Sequence, residues 1–222
     1  MHLNMSIHGI VEAAAAGATE RTLEGLLWEL WQGVTDAAAE ADEQRLDELV
    51  ALVTGVRETA VEGVKIGGRR LFGDLPVFGA QMREEWNLVP PDDRSVESWT
   101  RLNSFAARLT AAGVDFSLFG LWSIGTALET FAKPSEHLPA AVEWFEQCGA
   151  ELATATRHRR TFGPGPGRLH ELAEREGLSE GGYNLPRWTF WLSRLEGLAG
   201  GGDPVAVRGL RAARKAGKLL LP

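Results

Sequence analysis

Apolar residues recur at three- and four-residue spacing through almost every segment of this chain, and clean period-two alternation is scarce. A side chain every 100° around an axis turns that spacing into one buried stripe per helix, which leaves little material for sheet. Residues 22–40 place Leu23, Leu26, Leu27, Leu30, Trp31 and Val34 on one side and Glu24, Glu29 and Gln32 on the other. Residues 43–58 repeat the pattern with Leu46, Leu49, Val50 and Val53, and the Ala-rich stretch 11–16 predicts a shorter leading helix. Asp74-Leu75-Pro76 reads as a helix start, with Asp74 as N-cap and proline in the first turn, the helix running to Trp86 and stopping before Pro90-Pro91. Ser95 caps a helix over 96–112, which Gly113 ends. A very apolar helix at 116–132, stopped by Pro134, belongs at the centre, and another runs from Pro139 to Arg157.

The run Gly163-Pro164-Gly165-Pro166-Gly167 is the strongest loop signal. A short charged helix (168–176), a Gly-rich turn, a Trp-bearing helix (185–199) and a basic helix after Asp203-Pro204 follow it. The expected fold is all-α, a single-domain bundle of about nine helices. It comprises a bundle over 1–203 (core 20–162, looser part 163–203) and a basic C-terminal helix or tail at 204–222.

Composition narrows the function classes. With 222 residues, 44% hydrophobic and 24% charged, the chain is neither disordered nor collagen-like. A net charge of −7 argues against nucleic acid as a partner. A single cysteine rules out an internal disulfide framework and a cysteine-based metal cluster. The start of the chain lacks the basic and compact apolar stretches of a secretory signal, and no run approaches a membrane-spanning length. The expectation is a soluble cytoplasmic protein, without cofactor or metal and without an integral membrane segment. A homodimer is compatible with this reading.

Three stretches carry a family likeness: LFGDLPVFGAQMREEW from Leu71 to Trp86, WTRLNSFAARL from Trp99 to Leu109, and YNLPRWTFWLSRL from Tyr183 to Leu195. With the Ala127-Leu128-Glu129 step between them, the chain resembles the fungal "domain of unknown function 3632" family over roughly residues 20–200. The resemblance implies an all-helical intracellular protein, sometimes encoded among fungal secondary-metabolism genes. It supplies no reaction and no catalytic residue.

Catalytic motifs for zinc hydrolysis, dinucleotide binding, phosphate loops and nucleophile elbows are missing from the sequence. Cys148, beside Trp144, Phe145 and Leu152, reads as a small buried thiol. The run Arg157-His158-Arg159-Arg160 reads as favourable charge at a helix C-terminus, with anion recognition as the functional alternative. Polar residues on apolar faces are better candidates. Asn103 shares the side of Trp99, Leu102 and Ala106, and Glu129 lies one and two turns from Gly125 and Trp122. A carboxylate in such a setting shifts its pKa upward or finds a partner, Arg108 or Arg187 being the arginines to hand. Eight tryptophans suit a bundle core and equally a pocket for a flat apolar ligand.

Two functions follow. In one, the protein is a cofactor-independent cyclase, isomerase or dehydratase of a hydrophobic secondary metabolite. Glu129 is then the acid-base and Asn103 holds a carbonyl, while Trp99, Phe105, Trp122, Arg187 and Trp188 contact the substrate. In the other, it is a non-enzymatic helical adaptor or ligand-binding protein that docks through its basic C-terminal face.

Overall fold

A computed structural model describes residues 2–220 apart from Ala60 and Pro164, with side chains from Ser6 onward. Pro164 of the expected loop, the last two residues of the expected tail, and the side chains of His2 and Asn4 lie outside the described residues. The fold is all-α. Ten helices and one two-residue hairpin are found among the described residues. Their contacts fall into two compact units, Met1–Val89 and Pro90–Pro222. The Pro90-Pro91 pair, read above only as a helix stop, coincides with that division.

The first unit holds α1 (His2–Ala15), α2 (Glu20–Glu40), α3 (Glu43–Glu58), the strands β1 (Lys65–Ile66) and β2 (Arg69–Arg70), and α4 (Phe78–Glu85). Thr19 caps α2 by accepting from Thr22 N at 3.2 Å, and Asp42 caps α3 through Arg45 N at 2.8 Å. The expected α2 stripe is buried along Leu23, Leu27, Leu30, Trp31 and Val34. Trp31 donates its indole N–H to the Pro76 carbonyl at 3.1 Å, and its ring lies 4.6 Å from that of Phe78. A tryptophan is well suited here because it fills the core and satisfies a turn carbonyl at once.

Asp74 does not cap α4. Its carboxylate accepts from the Arg70 backbone N–H at 2.8 Å and from the Arg70 guanidinium at 3.0 and 2.6 Å, so the chain turns once more and the helix begins at Phe78. Gly67 and Gly68 form the turn between β1 and β2. Both have positive φ, 55° and 78°, which a tight two-residue hairpin turn requires.

In the second unit α7 (Pro134–Arg157) packs most extensively, against α5 (Val96–Ala111), α6 (Ser117–Glu129), α9 (Leu185–Gly200) and the C-terminal helix, while α6 also meets α8 (Glu171–Arg175). The apolar α6 is largely buried, as its composition predicts, but α7 and not α6 holds the centre of the unit. Ser95 caps α5 as expected, accepting from Ser98 N at 3.1 Å. Gly120 lets α6 approach α7 closely, for a Cβ there would lie 2.6 Å from the Trp144 ring. Pro134 opens α7 instead of stopping a helix, since the first helical position has no N–H to satisfy. Pro139 therefore sits inside that helix, not at its start. A kink at Cys148 (φ −138°, ψ 31°) interrupts α7.

The basic C-terminal segment forms α10 (Pro204–Gly217), capped by Asp203 and closed by a 3-10 turn, Lys218–Leu220. It is not a detached tail. Ala206, Gly209, Ala213 and Ala216 are buried where α10 packs along α7 and α9. A Cβ on Gly209 would sit 2.6 Å from Val142 Cγ2.

Candidate functional site

Every candidate site residue lies in the second unit, and the structure sorts them into separate environments. Glu129, at the end of α6, is fully buried, as is Arg187 in the first turn of α9. Arg187 Nε donates to Glu129 Oε1 at 2.6 Å and Nη2 to Oε2 at 2.9 Å, a bidentate pair. The carboxylate also accepts from Trp191 Nε1 at 2.6 Å and from the His170 backbone N–H at 3.1 Å. Arg187 sends its remaining N–H groups to the carbonyls of Gly167 (3.1 Å), Gly182 (3.0 Å) and Arg168 (2.9 Å). All five guanidinium donors are thus used, and the carboxylate accepts four bonds. This hub ties the Gly-rich loop and the 180–183 turn to α6 and α9. Gly182 makes the approach feasible: its φ is +74°, and a Cβ there would meet the Arg160 carbonyl at 2.4 Å.

The His170 ring is half-buried beside the hub, next to Gly125. Burial pushes its pKa below the ordinary histidine value, against an opposing pull from Glu129.

Asn103 is fully buried on α5 and belongs to another cluster. Its Nδ2 donates to the Trp99 carbonyl at 2.9 Å, and its Oδ1 accepts from Ser123 Oγ at 2.6 Å and Trp144 Nε1 at 2.7 Å. One amide therefore joins α5, α6 and α7. Phe105 and Trp99 are buried on the same helix. Trp122 is partly exposed, and its indole N–H is held by the Pro166 carbonyl at 2.7 Å. Trp188 is buried edge-on against Phe145, at 5.6 Å, and its Nε1 has no hydrogen-bond partner among the described residues. The predicted residues therefore stand in separate environments, six of them buried and Trp122 partly exposed. The structure joins Glu129 to Arg187, and Asn103 to Trp99, as two separate hydrogen-bonded clusters.

Open space lies elsewhere in this unit. A cleft of about 520 Å³ runs between the last turn of α7, the turn at 177–180 and the start of α9. Leu178, Leu185, Pro186 and Leu220 give it an apolar side, with Leu185 55% exposed. Arg157 and Arg159 also line it, Arg159 paired with Glu180 and Arg157 in no ion pair among the described residues. Thr156, only 2% exposed, lines the same cleft, and its Oγ1 has no hydrogen-bond partner among the described residues. A second, more open cleft of about 670 Å³ holds Asp115, Glu151, His158 and Arg160. There burial works to raise the Asp115 carboxyl, and hydrogen bonds from Arg160 and Ser117 outweigh it and hold it below its usual range. None of the seven predicted site residues lines either cleft.

The basic run was the one sequence signal for the first cleft, since Arg157 and Arg159 belong to it. Thr156 carried no signal, because a threonine on a helix reads the same whether its hydroxyl is bonded or free. Among the described residues no group of three or more His, Cys, Asp or Glu side chains is placed to hold a metal ion. No helix there is long and apolar enough to cross a membrane.

The model of a family described as "Protein of unknown function (DUF3632)" matches residues 31–195. The chain belongs to this family. Both the Glu129–Arg187 hub and the Asn103 cluster fall inside the matched part of this DUF3632 protein, as does most of the Thr156 cleft. No curated protein and no solved structure matches the chain.

Proposed function

We propose that this DUF3632 protein is a non-enzymatic binding protein for a small amphipathic anion, and that the Thr156 cleft is its site. The observation that carries the reading is the Thr156 hydroxyl, a buried polar group without a partner among the described residues, in the wall of a mainly apolar cleft. Such a group costs free energy when it stays unpaired, so it marks a place where a ligand acceptor is favoured. Arg157 beside it, in no ion pair among the described residues, suits a carboxylate or phosphate, and the four apolar side chains suit a hydrocarbon or ring body. A hydrophobic metabolite bearing one acidic group has that chemistry. The secondary-metabolism setting implied by the family resemblance supplies molecules of this kind, and we place the binding in the cytoplasm.

Acid–base catalysis has less support. A general acid or base must reach the proton it moves. The Glu129 carboxylate is closed to solvent and engaged by four donors, and the Asn103 amide oxygen already accepts two bonds. Their geometry favours a structural role for both over the cyclase or isomerase reading.

Isothermal titration with decanoate and with decanol tests the binding reading. Saturable decanoate binding is expected, weakened about 3- to 10-fold in Thr156→Val and about 10-fold or more in Arg157→Gln, with decanol indifferent to Arg157. Equal decanoate affinity in all three proteins, or no saturable binding, overturns it.

A further inference from the structure

We propose that the outward pole of α10 docks the protein on an anionic lipid surface. Residues 204–222 carry five positive charges and no negative one after Asp203, so residues 1–203 hold −12 of the total −7. The packing of α10 decides where those charges point. Its buried stripe is made of small residues, Ala206, Gly209, Ala213 and Ala216, and at about 100° per residue the opposite pole falls near Arg211 and Lys215. Val207, Arg211 and Lys218 lie within about 40° of one another on that pole, and Lys215 lies about 40° further round.

The two flanking cations are already engaged. Arg208 pairs with Glu143 and Glu146 of α7, and Arg214 pairs with Glu196 of α9 at 2.7 Å. The pole cations are not: Arg211, Lys215 and Lys218 are exposed and form no ion pair among the described residues. Arg208 and Arg214 thus fix the rotation of the helix, while the other three project along a line of roughly 10 Å.

The shape and the company of this pole favour a lipid surface over other polyanions. An exposed apolar side chain stands near each end, Val207 at 42% and Leu219 at 51% exposure, which suits shallow contact with headgroups and the acyl boundary. A polynucleotide that wrapped the helix would meet Glu143, Glu146 and Glu196 on its flanks, whereas a flat surface touches the pole alone. Attraction from three cations gives reversible and salt-sensitive attachment, not permanent anchoring.

Co-sedimentation of the full chain with vesicles tests this directly. Binding is expected to vesicles of 70% phosphatidylcholine and 30% phosphatidylserine at low salt, with little to pure phosphatidylcholine and a large loss at 0.5 M NaCl. The triple variant Arg211→Glu/Lys215→Glu/Lys218→Glu should weaken it on the order of a hundredfold while keeping the helical circular dichroism of the parent. Should that variant misfold, Arg211→Gln/Lys215→Gln supplies the same comparison with a smaller loss. Absence of binding to the anionic vesicles, binding undiminished in the variants, or retention on a 20-base-pair duplex without vesicle binding overturns the proposal.

Discussion

Glu129 and Arg187 show what one residue pair can fix. Replacing Glu129 by Gln keeps the shape and removes the charge, leaving a buried guanidinium without its counter-ion. A loss of about 3–5 kcal/mol is expected in urea unfolding, with decanoate affinity unchanged at concentrations where the variant is folded. A variant of parental stability would mean that the hub carries no structural load. The sequence showed that Glu129 was out of place on an apolar helix and offered Arg187 as one of two partners. It could not choose between them, because periodicity places a residue on a face and says nothing of which distant face lies opposite. The tryptophans illustrate the same limit. Trp188 and Trp122 share a residue type and a place in the predicted pocket, yet one is packed edge-on in the core and the other is tied to a loop carbonyl.

At the scale of elements, helix positions were legible wherever a cap and an apolar stripe agreed, as at Ser95 and along α2. They were missed where a local side chain outcompeted the helix. Asp74 reads as a cap, but Arg70 four residues earlier captures it. Pro134 reads equally well as a stop and as a first helical residue, and only the packing of α7 decides. The contact of α10 with α7 makes an expectation of its own. Gly209→Ala would force a methyl against Val142 and Leu195, costing about 1–3 kcal/mol and exceeding the gain of up to about 1 kcal/mol in helix propensity. Gly197, exposed within α9 with no neighbour near its Cβ position, lacks that conflict. Gly197→Ala should therefore raise the urea midpoint and Gly209→Ala lower it; the reverse order would contradict the close packing of α10.

For the molecule as a whole, the all-helical class and the separately basic end could be read from the chain, whereas the division at residues 89/90 could not. Two prolines look alike whether they end a helix or separate two cores. Global stability should also respond to pH through the second unit. Burial holds both His137 and His170 below the usual histidine value. Between those lowered values and about 6.5 the unfolded chain binds more protons than the folded one. Stability should consequently fall as pH drops through about 6.5, and level off once the folded histidines are protonated too. In His137→Gln/His170→Gln that part of the pH dependence should flatten; an unchanged slope would exclude these histidines as its source. The hub, finally, has a direction in time. The carboxylate of Glu129 is synthesised 58 residues before the guanidinium that neutralises it, a delay of roughly 3–12 s at ordinary elongation rates. Through that interval Glu129 lacks its counter-ion, so the hub can form only once Arg187, within the last third of the second unit's sequence, has emerged.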